Sequence, residues 1–291
     1  EFHCRRSQVD DPLAIRDLKR FIGDYALRDE YSIPLVESRP PTGKRVSIIG
    51  SGPSGLTCAY YLAHMGHDVH VYEAESVAGG VIYWGIPEFR LPKEVLAKEI
   101  KAIEAAGVKI HLNYKVDKGI VFDRIRLNSD AVYVAVGTQA SPLLGVPNES
   151  VQGVESGLSF LRRVGLNIDR SVPHKMVVVG GGSTALDVAR TALRLGSEEV
   201  IVLYRRTEAE MPAHREEIVE AKEEGVKIIE LAAPVSIIDK DGKVSGIKCV
   251  RCELTDYGKD GRKRVRQIEG SEFEIECDGV ITAINQVMDK N

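Results

Sequence analysis

The stretch Val46–Gly55 reads VSIIGSGPSG, and the stretch Met176–Ala185 reads MVVVGGGSTA. In each, a short apolar run of strand character leads into a glycine-rich turn, and a helical pattern follows the turn. Such a strand–turn–helix unit offers backbone N–H groups and a positive helix end to a phosphate. One glycine-rich turn is common in proteins. Two in the same context predict two dinucleotide-binding units in one chain.

The glycines of these loops have separate tasks. The first is expected to make the tight turn, the second to admit a pyrophosphate, and the third small residue to let helix and strand pack closely. In order, these places hold Gly50, Gly52 and Gly55 in the first loop and Gly180, Gly182 and Ala185 in the second. The other predicted cofactor-binding residues of the loops are Ser51, Pro53, Ser54, Ser183 and Thr184.

The end of the following strand differs between the two units. Glu73 lies 23 residues after Gly50, near the spacing of about 20 at which a carboxylate binds ribose hydroxyls. Arg205 and Arg206 stand at the matching place in the second unit. Their guanidinium groups suit a 2′-phosphate, which a carboxylate repels. We therefore expect FAD in the first unit and NADP(H), rather than NAD(H), in the second. A solvated arginine pair at a strand end is the alternative.

Length and composition exclude several classes of protein. The chain has 291 residues, 43% of them hydrophobic, which suffices for two packed cores. Its net charge of −4 shows no basic excess for nucleic acid. No apolar run approaches the length of roughly 20 residues that a membrane-spanning helix needs. Five cysteines, an odd number, favour a reducing, cytoplasmic setting over a disulfide framework.

The remaining pattern completes an α/β chain built from two Rossmann-like units. An amphipathic helix is predicted between Pro12 and Tyr25, and Asp241-Gly242 predicts a hairpin turn. The charged, glycine-containing stretch 256–271 is expected to be a surface loop. Val280–Ile284 is expected to be a buried strand that returns to the first domain.

At this level the chain resembles a known group, the small (β) subunit of NADPH-dependent glutamate synthase and its relatives. These relatives include the large subunit of NADH-dependent ferredoxin:NADP oxidoreductase and the N-terminal part of dihydropyrimidine dehydrogenase. The resemblance covers nearly the whole chain. Its matching segments are Val46–Gly55, Gly79-Gly80, Gly85–Pro92, Ala131–Thr138, Gly180–Arg190, Tyr204–Arg206, Met211–Ala213 and Glu216-Glu217.

The resemblance implies hydride transfer between NADP(H) and FAD, followed by electron transfer to iron–sulfur clusters in a larger complex. The cofactors carry this chemistry, so no catalytic side chain is expected. The partners implied are other subunits or segments of an electron-transfer complex. Beyond the two loops, Glu73 and the arginine pair, the implied cofactor-binding residues are Gly80, Val81, Arg90, Val116, Ala135, Gly137 and Thr138.

The resemblance also implies a domain order. Residues 1–30 are expected to be the tail of a helical iron–sulfur domain, 31–44 a linker, and 45–156 the first part of the FAD domain. The NAD(P)H domain is expected at 157–278, and the return strand at 279–291. On the resemblance alone, Cys4 is expected to be a cluster ligand, and the other thiolates that a cluster needs would have to lie outside this chain. An ordinary thiol is the alternative.

The chain departs from the family pattern at its C-terminal end. The family's Gly-Asp element near the flavin is absent, and Asn285 stands where the family has glycine. We expect a segment of a longer polypeptide, and a natural truncation is the alternative. The alternative function is a silent scaffold or assembly module that keeps the fold without full FAD binding.

The pair Cys249 and Cys252 forms a C-x-x-C in a predicted strand. Positions three apart in a strand face opposite ways, and no second pair is present to complete a zinc site. Packing is therefore expected for both, and a disulfide-reductase activity is disfavoured.

Overall fold

The computed structural model describes residues 3–28, 39–258 and 261–287. The chain forms two compact units. Unit 1 comprises Glu1–Ala78 and Pro92–Ala135, and unit 2 comprises Gly79–Leu91 and Val136–Asn291. The boundaries predicted at 156 and 157 therefore differ from the observed division, because residues 79–91 and 136–156 make their contacts within unit 2. Much of the linker expected at 31–44 lies outside the described residues.

Unit 1 is built on a four-stranded parallel sheet in the order β3-β2-β1-β4. Its apolar core joins Ile48, Val69 and Val71 of the central strands to Ala59 of the helix after the first strand. The strands are β1 (Arg45–Ile49), β2 (Asp68–Tyr72), β3 (Lys109–His111) and β4 (Ala131–Val134), and the helices are α1 (Ile15–Ala26), α2 (Pro53–His64), α4 (Lys93–Ala105) and α5 (Ile120–Leu127).

Unit 2 is built on a five-stranded parallel sheet in the order β5-β12-β6-β7-β8. Helix α7 follows the second glycine loop and buries a continuous face that includes Leu186, Val188 and Ala189. The strands are β5 (Val154–Ser156), β6 (Lys175–Val179), β7 (Glu199–Leu203), β8 (Lys227–Ile229) and β12 (Gly279–Thr282), and the helices are α3 (Val81–Gly85), α6 (Gly157–Gly165), α7 (Ser183–Arg194) and α8 (Arg215–Glu223).

Unit 2 also contains an antiparallel sheet in the order β11-β10-β9. The predicted hairpin turn is present between β9 (Ala232–Lys240) and β10 (Lys243–Tyr257). Asp241 and Gly242 both have positive φ angles, 55° and 78°, as a tight turn between twisted strands requires.

The prediction of a surface loop over 256–271 was wrong. Most of that stretch belongs to β11 (Lys263–Glu276), which pairs antiparallel with β10 through Leu254↔Val265 and Cys249↔Phe273. The strand lies at the edge of its sheet and is largely exposed. Charged residues are common on edge strands because they discourage pairing with other chains, and here they hide the strand pattern.

The last strand is also placed differently from the prediction. Strand β12 does not return to the first sheet. It pairs with β5 through Val280↔Val154 and with β6 through Val280↔Val177, both in unit 2. All four of its residues are buried. A short apolar run identifies a central parallel strand, but it carries no information about which of two parallel sheets accepts it.

The N-terminal helix agrees with the prediction of an amphipathic segment. Helix α1 spans Ile15–Ala26 and has no buried residue. Leu18, Phe21 and Ile22 are more than half exposed. In the described part of the chain, no helix combines the length and the apolar character needed to cross a membrane.

Candidate functional site

The first glycine loop connects β1 to α2. Gly50 has a φ of 101°, and its N–H donates to the carbonyl of Tyr72 at 2.8 Å. A Cβ at Gly55 would lie 2.0 Å from the carbonyl oxygen of Gly50, whereas one at Gly52 would meet nothing within 4 Å. The loop is therefore closed where helix and strand pack and open at the start of α2, the position where an anion can approach.

Glu73 closes this loop from the end of β2. Its side chain is buried, and Oε2 accepts hydrogen bonds from Ser51 N at 2.9 Å and from Ser51 Oγ at 2.5 Å. Oε1 accepts one from Glu75 N at 2.8 Å. A carboxylate has about four lone-pair positions, so these three bonds orient Glu73 and leave it able to accept from a further hydroxyl.

The second glycine loop connects β6 to α7 and has the same plan. Gly180 has a φ of 151°, and a Cβ there would lie 2.2 Å from the carbonyl oxygen of Ala283. A Cβ at Gly181 would lie 2.6 Å from the ring of Tyr204. At Gly182 the nearest atom is 3.8 Å away. This loop is also open at the residue before its helix.

A cavity of about 530 Å³ lies over the second loop, within the range of roughly 300–1,000 Å³ found for small-molecule sites. Its walls come from the loop, from the ends of β7 and β12, and from the segments around Leu144 and Ala232. The only charged residues among those described on its lining are three arginines, Arg205, Arg206 and Arg262. The cavity is therefore suited to an anionic molecule.

The segment Gly79–Leu91 packs on unit 2 through its backbone and its aromatic side chains. Gly80 has a φ of 57° and precedes α3. A Cβ at Gly165 of α6 would lie 2.4 Å from the carbonyl oxygen of Trp84, so glycine permits the close approach of α3 and α6. The ring of Phe89 contacts the guanidinium groups of Arg190 and Arg194, 4.6 and 4.3 Å from its centroid.

Arg90 anchors the same segment through two carboxylates. Its NH1 donates to both oxygens of Asp187 at 2.8 and 2.7 Å, and its NH2 pairs with Glu217. Burial raises the pKa of Asp187 to about 6, and the contact with Arg90 acts in the opposite direction. These contacts engage the guanidinium with protein carboxylates. The cofactor contact expected of Arg90 stays a prediction.

Glu224 organises a second charged cluster beside this one. It pairs with Arg190 at 2.7 Å and with Arg194 at 2.6 Å. Hydrogen bonds, first from Arg194 and then from Arg190, lower the pKa of Glu224 to about 2 against the opposing effect of burial. Arg190 and Arg194, whose guanidinium groups contact the ring of Phe89, are thus also held in place by Glu224.

The remaining predicted cofactor residues lie on loops that follow strands. Ala135 N donates to Ile49 O at 2.8 Å directly after β4, and Gly137 and Thr138 follow it on an exposed loop. Val116 is half-buried in the loop after β3. Arg205 is exposed at the end of β7. These positions leave their cofactor contacts as predictions.

The cysteines divide into two partly exposed thiols, Cys4 and Cys58, and three buried ones, Cys249, Cys252 and Cys277. Hydrogen bonds from the backbone of Leu13 and then Arg6 lower the pKa of Cys4. No cluster of three or more metal-ligating side chains occurs among residues 3–28, 39–258 and 261–287. Cys249 and Cys252 are both buried, in different apolar clusters, and burial raises the pKa of Cys249 to about 12. The packing role predicted for this pair is confirmed.

The sequence interpretation assigned no contact to three site residues. Asp187 and Glu217 lie in segments that carry the resemblance, Gly180–Arg190 and Glu216-Glu217, but no role followed from that. Arg262 falls within the stretch that was expected to be a loop. Their significance arises from contacts that are distant in sequence, so no local pattern could have identified them.

The comparisons with known proteins agree with this geometry. Residues 44–289 match the family model described as pyridine nucleotide-disulphide oxidoreductase. The chain belongs to this family. Its members are thus named for a pyridine nucleotide, in keeping with a chain that has two dinucleotide-type loops. The family name also mentions a disulphide, but all the cysteines of this chain that the structure describes are free.

Similar curated proteins confirm the resemblance to the glutamate synthase small subunit. The chain is 43% identical to the NADP(+)-dependent formate dehydrogenase subunit beta of Moorella thermoacetica, over 99% of this chain and 44% of that protein. It is 41% identical to the NADPH-Fe(3+) oxidoreductase subunit beta of Geobacter sulfurreducens (98% and 43%). It is 35% identical to the glutamate synthase [NADPH] small chain of Escherichia coli (97% and 62%). The chain thus spans only part of each relative.

Solved structures confirm the fold. FprA from Mycobacterium tuberculosis in complex with NADPH superposes with a TM-score of 0.70 at 20% identity, over 85% of this chain and 71% of that one. A thioredoxin reductase from T. acidophilum gives 0.56 at 18% identity, over 84% and 78%. The fold of this chain is therefore one that these solved structures share.

Proposed function

We propose that this chain is an NAD(P)H-dependent flavin oxidoreductase module that transfers hydride between NADP(H) and FAD. Electrons then pass to iron–sulfur clusters of a larger complex. The observation that carries the proposal is the contrast between the two glycine loops. Both loops leave space at the glycine before a helix. The carboxylate of Glu73 is hydrogen-bonded to the first loop, whereas Arg205 and Arg206 line the cavity over the second.

The residues of unit 1 fit a dinucleotide with free ribose hydroxyls. The open position at Gly52 leaves room for a pyrophosphate at the start of α2, where backbone N–H groups and the helix dipole favour negative charge. Glu73 is held at the end of the neighbouring strand by Ser51 and retains acceptor capacity. A carboxylate there disfavours a 2′-phosphate, which supports FAD in this unit.

The residues of unit 2 fit a dinucleotide with an additional phosphate. The cavity of about 530 Å³ contains the open position at Gly182, and the charged residues described on its lining are arginines. Guanidinium groups bind phosphate oxygens through two parallel hydrogen bonds. This composition supports NADP(H) rather than NAD(H).

In this mechanism the protein binds and orients, and the cofactors react. A bound flavin would supply a ring that can accept a hydride and release the two electrons one at a time. The amides of Ser51 and Gly52 would hold its pyrophosphate, and Glu73 its ribose. The amides of Gly182 and Ser183 would hold the pyrophosphate of the nicotinamide nucleotide. Binding that holds the reacting rings in position lowers the entropic part of the barrier.

The relatives support a partner-bound role. Two are named as beta subunits and one as a small chain, which fits a chain that transfers electrons within an assembly. Cys4 as a cluster ligand, other subunits as partners and a cytoplasmic setting belong to this proposal.

The purified chain tests the proposal by absorption spectroscopy. Bound flavin absorbs at about 450 nm, and anaerobic addition of NADPH should bleach this band. NADH at the same concentration serves as the control, since the arginine-lined cavity favours the phosphorylated nucleotide. A chain that binds flavin but is not reduced by either nucleotide contradicts the hydride step.

A second candidate function is a scaffold that keeps the fold without full FAD binding. The observation in its favour is the exposed edge of the first sheet, where Tyr133 and Val134 of β4 are 41% and 56% exposed. Asn285, which stands where the family has glycine, lines the cavity of unit 2. A folded chain that shows no flavin absorption after incubation with excess FAD supports the scaffold.

A further inference from the structure

We infer that Arg262, on the hairpin between β10 and β11, is a third specificity-determining residue that binds the 2′-phosphate together with Arg205 and Arg206. This inference rests on the proposed binding of NADP(H) in unit 2. It adds a contact from the antiparallel sheet, an element that the two glycine-loop motifs do not include.

The hairpin brings Arg262 to the cavity by its own geometry. Gly258 N donates to the carbonyl of Arg262 at 2.7 Å, and Gly261 N donates to Gly258 O at 3.1 Å. Gly261 has a φ of 74°, a conformation that side-chain-bearing residues rarely adopt. The chain thus turns just before Arg262 and enters β11 at Lys263.

The hairpin is fixed to the end of β7 by the arginine pair itself. Arg206 Nε donates to the backbone carbonyl of Lys263 at 2.8 Å. The ammonium group of Lys263 pairs with Glu210 at 3.3 Å. Because Lys263 follows Arg262 directly, these contacts hold the backbone of Arg262 beside the strand end that carries Arg205 and Arg206.

The charges on the cavity lining favour a role for Arg262 in binding an anion. The charged residues that the structure describes on the lining are Arg205, Arg206 and Arg262, and all three are cationic. A phosphate monoester carries a charge of about −1.5 to −2 at neutral pH. Arg206 already uses one N–H on Lys263 O. A further guanidinium therefore completes the set of donors for a doubly charged group.

The cavity also contains two positions that can bind an anion. The loop at Gly180–Gly182 and the start of α7 provide one, suited to a pyrophosphate. The arginines provide the other. A nucleotide without the 2′-phosphate uses only the first, so the loss of Arg262 should affect the two nucleotide classes differently.

The experiment is isothermal titration calorimetry of the full chain with 2′,5′-ADP and with 5′-AMP, followed by NADP⁺ and NAD⁺. Arg262→Ala should weaken 2′,5′-ADP and NADP⁺ by about tenfold, equivalent to about 1.4 kcal/mol, and change 5′-AMP and NAD⁺ by less than about twofold. Arg262→Lys should lie between, since it retains the charge but loses the planar fork.

Arg264→Ala is the matched control. It removes the same charge from the same exposed hairpin, two residues further along, but Arg264 does not line the cavity. Equal weakening by Arg262→Ala and Arg264→Ala would mean general electrostatic attraction and would overturn the inference. Equal weakening of 2′,5′-ADP and 5′-AMP by Arg262→Ala would overturn it as well.

The results separate this inference from the proposed function. If the unmodified chain binds 2′,5′-ADP and Arg262→Ala binds it equally well, the inference fails and the proposed function stands. If the unmodified chain binds neither 2′,5′-ADP nor NADP⁺, both fail. Thermal unfolding of each variant checks that the hairpin change leaves unit 2 folded.

Discussion

The two units begin alike and are completed differently. In both sheets the strand that precedes the glycine loop lies between two parallel neighbours, β2 and β4 for β1, and β7 and β12 for β6. Strand β12 is covered on its outer side by β5 and is fully buried. Strand β4 has no outer partner among the described residues and is largely exposed.

The two units thus share a loop motif, but the structural elements around that motif differ. Unit 2 completes its sheet with β5 and carries the segment Gly79–Leu91 on its helices. Unit 1 has an exposed sheet edge, β4, beside the strand that precedes its own glycine loop. The following experiments test where the two units are equivalent and where they are not.

The largest effect is expected at Arg90, a contact for which unit 1 has no counterpart among the described residues. Arg90→Met leaves the buried carboxylates of Asp187 and Glu217 facing each other without their cation. The free energy of unfolding should fall by about 3–5 kcal/mol, measured by urea titration. Adding Asp187→Asn to Arg90→Met should recover part of the loss. A loss below about 1 kcal/mol for Arg90→Met would show that the cluster does not anchor this segment.

Substitutions at the third position of the two glycine loops should destabilise the units by different amounts. Gly55→Ala forces a Cβ to within 2.0 Å of the carbonyl oxygen of Gly50, and it should cost about 3 kcal/mol of unfolding free energy. Unit 2 already holds Ala185 at this place, so Ala185→Gly should cost only about 1 kcal/mol. A loss for Gly55→Ala no larger than that for Ala185→Gly would show that the first loop accommodates a Cβ as the second does.

The fourth strands provide a matched pair of valines. Val132 of β4 and Val280 of β12 stand at the same register, opposite Ser47 of β1 and Val177 of β6. Val280 is fully buried, whereas Val132 is only half-buried. Val280→Ala should lower the unfolding free energy by about 2–3 kcal/mol and Val132→Ala by less than about 1 kcal/mol. Equal losses would show that the edge of unit 1 is covered in solution.

The pH dependence of stability should reveal the charged clusters of unit 2. The folded-state pKa of Glu224 is about 2, below its ordinary value of 4.5, so its stabilisation is complete above pH 4.5 and is lost as the pH falls toward 2. The pKa shift of Asp187 has the opposite sign. Its pKa of about 6 exceeds the ordinary 3.8, so its contribution is greatest below pH 3.8 and is lost as the pH rises through 6.

Glu224→Gln isolates the first of these contributions. The variant should lose about 1–2 kcal/mol of unfolding free energy at neutral pH, and the difference from the unmodified chain should vanish near pH 2. Glu223→Gln, at the exposed neighbouring position, should leave the whole profile unchanged. A difference that persists at the lowest pH would show that the ion pairs with Arg190 and Arg194 are not its source.

The smallest effects on stability are expected at the open glycines, where the units should be equivalent. Gly52→Ala and Gly182→Ala meet no atom closer than 3.8 Å, so each should cost less than about 1 kcal/mol through poorer helix capping. Nucleotide binding should weaken by at least about tenfold. Flavin absorption should be lost only with Gly52→Ala, and NADP⁺ binding only with Gly182→Ala. Loss of both nucleotides in either variant would contradict the assignment of one to each unit.

Several elements of the fold were predictable because their signals are local. The strands and helices around the glycine loops and the turn at Asp241-Gly242 follow from apolar periodicity and from glycine's freedom of φ. The edge strand β11 was missed because one charged face masks its alternation. The sheet that accepts β12 was assigned wrongly, since a buried strand has the same composition in either sheet.

The candidate site divides in the same way. The sequence by itself determined the family, the two loops and the contrast between Glu73 and the arginine pair, because each of these depends on residues within one strand–loop–helix segment. Only the tertiary structure decided that Asp187 and Glu217 share Arg90, and that Arg262 lines the cavity with Arg205 and Arg206. These contacts join residues from separate elements. Their energies depend on burial and on distances across the fold, which no local pattern of residues encodes.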